Sequence, residues 1–268
     1  MFSWRLVVHD IWTSAIVTVD VFSSLMRFDV SLFDMKKKPA RGLFITGTNT
    51  GVGKTYVACL IAKALRAAGH RVGVYKPAVS GAEEDAGRPR WEDVEALWEA
   101  AGQPGDRAAV CPQCFLAPLA PHLAARAEGK EIDADLLRTG IESWADQCDV
   151  VIVEGAGGLM SPVSDEDYVA DLAFEFGYPL VVVAANELGV INQTLQTLVT
   201  AATFRDGIDI AGVVLNDVSN PQAANDVSTT SNYDELVKRC GPPLLAHLDW
   251  QSANLDSDVD WFDLAGGR

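Results

Sequence analysis

Gly42-Leu-Phe-Ile-Thr46, then Gly47-Thr-Asn-Thr-Gly51-Val-Gly53-Lys54-Thr55, then an apolar-periodic stretch to Ala68, is the segment that decides the fold. Five residues dominated by apolar side chains read as a buried strand. After the loop, Val57, Leu60, Ile61, Ala64 and Leu65 recur at helical spacing until Gly69. A glycine-rich loop between a strand and a helix curls its backbone so that successive N–H groups point at phosphate oxygens. The helix N-terminus adds the positive end of its dipole, Lys54 a mobile charge, and Thr55 a hydroxyl for Mg2+. The spacing is one residue longer than usual: Gly47 and Gly53 enclose five residues, where about four are common. The flanking strand and helix, with Gly-Lys-Thr in register, outweigh a chance turn ending in Lys-Thr.

Downstream, short apolar runs alternate with helical patterns, the rhythm of a parallel sheet covered on both faces. Strands are expected at 71–75, 149–153, 179–184, 208–215 and 243–248, with helices at 91–101, 132–147 and 192–204. No repeat or linker interrupts them. The expected fold class is α/β: a single doubly wound, mostly parallel sheet with helices on both faces. Ahead of it, Met35-Lys-Lys-Lys38 reads as a natural start. Residues 1–34 are apolar in places but broken by Asp20 and Asp29, too interrupted for a membrane span and too acidic for a transit peptide. They are expected to be an upstream misread of the start codon or a poorly ordered tail. The division that follows is an N-terminal extension over 1–40 and a catalytic domain over 41–268.

The 268 residues carry 37 acidic and 21 basic side chains, a net charge of −16. A field of that sign repels nucleic acid and anionic membranes, so neither is an expected partner. A phosphate ligand then needs a local device: oriented amides, a few lysines and a metal ion. Five cysteines, an odd number, point to a reducing, cytoplasmic setting rather than a disulfide framework. Cys111-Pro-Gln-Cys114 has no second pair at zinc spacing and reads as loop thiols rather than a metal or redox site.

Other segments fall at the ends of expected strands, where open α/β sheets place ligands. Tyr75-Lys76-Pro77-Ala-Val-Ser80-Gly81 brings a lysine off a buried strand; alone, such a lysine is as often a solvated one. Glu154-Gly155-Ala156-Gly157-Gly158 puts a carboxylate where it can reach a metal, against the plainer reading of a tight turn. Asp93 opens a helix, where a dipole partner is the commoner role. Asn216-Asp217 closes the fifth strand; turn chemistry is the default, and reading a base edge by amide donor and acceptor is the functional alternative.

Taken in order, these segments resemble the dethiobiotin synthetase family, of the P-loop NTPase superfamily, from about Arg41 to Trp250. The long phosphate loop, Lys76-Pro77 with Ser80-Gly81, Asp93, Pro121-His122, Val153 to Gly158, Leu188 to Asn192 and Asn216-Asp217 all take part. The resemblance implies that Gly51, Val52, Gly53, Lys54, Thr55 and Tyr56 bind the ATP phosphates, with Glu154, Gly155, Ala156 and Gly157 lining the nucleotide site. Thr55, Asp93 and Glu154 would hold Mg2+. Asp93 would thereby also belong to the ATP site. Asn216 and Asp217 would face the base. Lys76 and Lys54 would be the catalytic lysines. Thr50 and Ser80 would contact the substrate. Gly189 and Asn192 would take its carboxylate from the second subunit of a homodimer. Two positions depart from the pattern: Gly51 stands where some members carry Glu, and Asp249 where Pro is common before Trp250.

The reaction so implied joins CO2 to one amine of 7,8-diaminononanoate as a carbamate. The carbamate is phosphorylated by ATP, and the second amine then closes the cyclic urea. That chemistry asks for positioning and charge stabilisation rather than a protein nucleophile. It is consistent with the lack of a Ser–His–Asp or Cys–His set in the sequence. One alternative is an amidating ligase of cobyrinate type, which needs a further glutaminase domain. Another is a non-enzymatic nucleotide switch, which usually carries a second lysine early in the loop, where Gly47-Thr48-Asn49 stands here.

Overall fold

In the computed structural model, residues 37–220, 226–255 and 258–266 are described. They belong to one compact unit, Met35–Arg268; the expectation for residues 1–34 lies outside the described residues. The chain runs β1 (Gly42–Gly47), α1 (Lys54–Ala67), β2 (Val72–Tyr75), β3 (Val79–Ser80), β4 (Glu83–Asp85), β5 (Arg88–Arg90), α2 (Glu92–Ala100), α3 (Arg107–Val110), β6 (Cys114–Phe115) and α4 (Pro121–Ala127). It continues α5 (Ala134–Thr139), a 3-10 turn (Gly140–Trp144), β7 (Val150–Gly158), α6 (Val169–Phe176), β8 (Leu180–Ala185), α7 (Val190–Thr203), β9 (Ile210–Asn216), α8 (Thr229–Arg239), β10 (Leu244–Leu248) and α9 (Trp261–Leu264).

Six strands form one sheet in the order β10-β9-β8-β1-β7-β2, every neighbouring pair parallel. β1, β2 and β8 are buried along their whole length, which is why they read as unbroken apolar runs. Because all six strands point one way, their carboxyl ends lie along a single edge. The chain leaves β1 toward β2 on one side and β8 toward β9 on the other, so the crevice of a doubly wound sheet opens above β1 and β8. Among the described residues, no helix is long and apolar enough to cross a membrane.

Three local features differ from the sequence reading. The helix expected over 132–147 is two pieces, α5 and a 3-10 turn; at the junction the Tyr75 hydroxyl donates toward the Leu136 and Leu137 carbonyls at 2.9 and 3.0 Å, and Leu136 O also keeps the Gly140 N–H. A Cβ on Gly140 would stand 2.5 Å from that hydroxyl. Strand β7 does not stop at Val153. Its register on β1 runs through Ile45↔Glu154, shifts, and resumes at Gly47↔Gly158, so residues 155–157 form a bulge at the site rather than a turn after it. Helices α6 and α8 went unforeseen, although parallel neighbours require crossovers. Before the boundary at Arg41, Lys38 lies over the Tyr178 ring and the Tyr178 hydroxyl donates to Pro39 O at 2.7 Å.

Phe176, fully buried on α6, joins the layers, with its ring 6.2 Å from Phe44 on β1 and 6.2 Å edge-on to Tyr75 on β2. Phe176→Ala is expected to lower unfolding free energy by about 3–5 kcal/mol, the usual cost of removing a buried phenyl. Urea denaturation checks this; an unchanged midpoint would mean the ring is not a keystone of the core.

Candidate functional site

The phosphate loop is held from three sides. Thr48 N–H donates to Val183 O of β8 at 2.9 Å. Asn216 Nδ2, at the end of β9, donates to Val52 O at 3.0 Å. Gly158 of β7 lies so close that a Cβ there would be 3.4 Å from Gly47 O and 3.5 Å from Thr48 O. Gly53 has φ +90°, and a Cβ on it would meet Asn216 Nδ2 at 2.2 Å, so glycine is required on both counts. Lys54 opens α1 and turns its ammonium back over the loop to donate to Asn49 O at 3.2 Å. Burial pulls its pKa below the ordinary lysine value, with Glu154 pulling the other way.

Beside the loop, Lys76 Nζ lies 2.6 Å from Asp93 Oδ2 and 2.6 Å from Glu154 Oε1. Three elements supply this cluster: the end of β2, the start of α2, and β7. The Thr55 hydroxyl donates to Glu154 Oε1 at 2.8 Å. The side chains of Lys76 and Glu154 are buried, 4% and 1% exposed. Burial disfavours the Lys76 ammonium, but Glu154 and Asp93 overcome it, and the pKa lies above its ordinary value. Glu154 Oε2 is buried with no hydrogen-bond partner, as is Thr48 Oγ1. A carboxylate oxygen left partnerless in the interior is costly unless a cation or donor meets it. No group of three or more His, Cys, Asp and Glu that could hold a metal occurs among the described residues. Mg2+ needs no such group, since it commonly takes one or two carboxylates plus phosphate oxygens and water.

Lys54, Thr55, Lys76, Asp93 and Glu154 therefore come together. Thr50 faces the β7 bulge, where a Cβ on Gly157 would be 3.4 Å from Thr50 Oγ1. Gly155 faces the core instead, since a Cβ there would be 2.6 Å from Val169 Cγ1. Ala156, in the same bulge, is half-buried. Gly51, at φ +78°, has open space where a Cβ would stand. Tyr56 bonds through its hydroxyl to Ser252 O, tying α1 to the C-terminal segment. Ser80, on β3, donates to Leu119 O at 2.5 Å. Gly189, at φ +102°, caps α7, and Asn192 lies in its first turn. Among the described residues no hydrogen bond or ion pair joins Gly189 or Asn192 to the lysine–carboxylate cluster.

Asn216 Nδ2 gives one of its two N–H groups to Val52 O, and its Oδ1 is buried without a partner. Asp217 is the centre of a network that the sequence reading missed. Its Oδ1 accepts from Asn186 Nδ2 at 2.7 Å and from His247 Nε2 at 3.0 Å. Asn232 Nδ2 donates to Asn186 Oδ1 at 2.9 Å. Asn186 follows β8 directly, so the strand-end rule that found Lys76 could have found it too. Nothing in the sequence marks Asn232 or His247.

A family model described as an AAA domain matches residues 41–255. The ATP-dependent dethiobiotin synthetase BioD of Rhodopirellula baltica is 42% identical over 223 residues, covering 79% of this chain and 85% of that protein. The ATP-dependent dethiobiotin synthetase BioD of Anaeromyxobacter dehalogenans is 44% identical over 211 residues, covering 79% and 91%. Among solved structures, the signal recognition particle receptor FtsY of Elizabethkingia anophelis superposes with a TM-score of 0.50 at 15% identity, over 85% of this chain and 65% of that one. At that identity the likeness concerns the fold alone.

Burial raises the Asp93 pKa, but the Lys76 ammonium and hydrogen bonds from Lys76 and Thr55 outweigh it and hold the carboxyl below its ordinary 3.8. A depressed carboxyl stabilises the fold fully above its unfolded pKa, and that contribution disappears as pH falls through the lower folded one. The stability deficit of Asp93→Asn is thus expected to be largest near about pH 6–7 and to close below about pH 3. Urea midpoints of both proteins across that range test it; a deficit independent of pH would place Asp93 outside the ion pair.

Proposed function

The chain belongs to the dethiobiotin synthetase family, and on that premise we propose that it closes the ureido ring of dethiobiotin in biotin biosynthesis. The substrates are 7,8-diaminononanoate, CO2 and ATP; the co-products are ADP and phosphate. The observation that carries the reading is the meeting of Lys54, Thr55, Lys76, Asp93 and Glu154 beside a phosphate loop. In the proposed sequence one amine of the substrate takes up CO2 as a carbamate, and a carbamate oxygen attacks the γ-phosphorus of ATP, releasing ADP. The second amine attacks the carbonyl carbon of the resulting carbamic–phosphoric anhydride, expels phosphate and closes the ring.

Both nucleophiles come from the substrate, so the protein's task is to hold and to neutralise. Loop amides from Gly51 to Tyr56, with the N-terminus of α1, bind the phosphate tail. Lys54 and Lys76 oppose the charge on the transferring phosphoryl group. Thr55, Asp93 and Glu154 fit a hard cation, since all three offer oxygen and Glu154 Oε2 is buried without a partner. They would hold Mg2+, which when bound supplies further neutralisation of phosphate charge. Until then Lys76 balances the two carboxylates. Ala156 and Gly157, with the backbone of Gly155, line the nucleotide side of β7, while Asn216 and Asp217 lie toward the base. Thr50 and Ser80 contact the diamine. The substrate carboxylate is taken by Gly189 and Asn192 of a second copy in a homodimer, and the enzyme works in the cytoplasm.

Incubation with 7,8-diaminononanoate, bicarbonate and MgATP is expected to give the cyclic urea and ADP in equal amounts by mass spectrometry. Hydrolysis of ATP without ring product would refute the assignment. Lys76→Ala should lower turnover by about a hundredfold or more, measured on protein shown folded by circular dichroism. Lys54→Ala should weaken both nucleotide affinity and rate, and chelation of Mg2+ should stop the reaction reversibly.

A further inference from the structure

The turn Cys111-Pro-Gln-Cys114 is placed where it can report on the lysine segment. Cys111 ends α3, buried at 4% exposure, while Cys114 begins β6 and is half-buried. The two thiols fold into one turn. Cys114 Sγ donates to Cys111 O at 3.5 Å, and Cys111 Sγ donates to Gln113 O at 3.5 Å. The neighbouring Cys111 side chain holds the Cys114 pKa below its ordinary value, while burial pushes the Cys111 thiol well up. Cys59 and Cys148 are buried thiols raised by burial to about 12 and about 11.

The same turn is stitched to the segment that carries Lys76 and Ser80. Lys76 N–H donates to Val110 O at 2.7 Å, Val79 N–H to Gln113 O at 2.9 Å, and Gly81 N–H to Phe115 O at 3.1 Å. Val79 pairs directly with Cys114. Gln113 O thus receives both the Cys111 thiol and the Val79 amide.

We propose that Cys111 and Cys114 form a dithiol–disulfide couple that exchanges with low-molecular-weight disulfides of the glutathione class, and that its state is transmitted to residues 76–81. Cys114, the accessible thiol, loses its proton and attacks one sulfur of the small disulfide. A mixed disulfide forms, the reagent's S–S bond breaks, and one small thiolate leaves and is protonated by water. Cys111 then gives up its proton and attacks Cys114 Sγ, forming the internal bridge and releasing the second small thiol. Two protein thiols are oxidised by two electrons in all, and one small disulfide is reduced to two thiols. Bridging removes both S–H donors from the turn and draws Cys111 and Cys114 off their carbonyls, loosening the bonds that Val79 and Gly81 make to it. Such reversible bridges suit a reducing compartment, where lasting structural ones do not persist.

The test uses the whole chain, equilibrated with graded ratios of reduced to oxidised glutathione, quenched by alkylation and digested for mass spectrometry. The peptide holding Cys111 and Cys114 is expected to lose two hydrogens and both alkyl labels, reversibly, at ratios where Cys59, Cys148 and Cys240 stay labelled. Amide exchange at Val79 and Gly81 should rise by about tenfold in the bridged form. Cys111→Ser should stop at a glutathione adduct on Cys114, and Cys114→Ser should take none. Two labels retained at every ratio, or an adduct only on Cys111, would overturn the couple; a bridge with unchanged exchange would overturn the transmission. None of these readouts depends on ring closure, so the proposal can fail while the synthetase reading stands, and the reverse.

Discussion

A buried ammonium between two carboxylates is the constraint on which the rest of the structure depends. Lys76, at the end of β2, meets Asp93 from the first turn of α2 and Glu154 from β7. Leaving one member of a buried pair without its partner costs about 3–5 kcal/mol. Three elements far apart in sequence are therefore held in one arrangement, with Glu154 Oε2 still unsatisfied. A hydrophobic contact could have fixed the same elements with less desolvation. The charges leave something that a hydrophobic contact cannot: a site whose electrostatic balance changes when a phosphate or a divalent cation enters.

The charge of the whole chain sharpens this point. At −16 the molecule repels anions at long range, so attraction for a triphosphate must be short-range and directional. The phosphate loop, the N-terminus of α1, Lys54 and Lys76 supply it along one edge of the sheet. The buried Lys54 and Lys76 do not attract anions at a distance; they act once water has been displaced.

The α/β class, the strand positions, Lys54, Thr55, Lys76 and Glu154 were legible because each is written locally, whereas Asp93 read locally as a helix-dipole partner and joined the site only through the family resemblance. A fully buried strand is a run of apolar residues, and the residue just beyond its carboxyl end is a site candidate by topology. What escaped is non-local. The helix at 132–147 passes into a 3-10 turn at Gly140, where a tyrosine from β2 packs that no window around Gly140 contains. The β7 bulge arises from pairing with β1, so Glu154 to Gly158 resembled a turn. His247 and Asn232 enter the network around Asp217 only because β10 and α8 fold beside β9. Asn216 read as turn chemistry or as an amide for a base edge, and its hold on the loop through Val52 O, 164 residues away in sequence, is written in neither.

That last feature shows how the loop and the sheet depend on each other. The glycines of a phosphate loop make its backbone pliable, and a pliable cradle would lose entropy on closing around a ligand. Here β8 takes the Thr48 amide, β9 takes the Val52 carbonyl through Asn216, and β7 lays Gly158 against Gly47 and Thr48. Each restraint comes from a different strand end, and glycine at Gly53 leaves just enough room for the Asn216 amide to reach in. The loop's shape is therefore set by the order of the strands as much as by its own sequence. A side chain that enlarges Gly53 or shortens Asn216 would act on phosphate binding through the backbone, without touching the ligand.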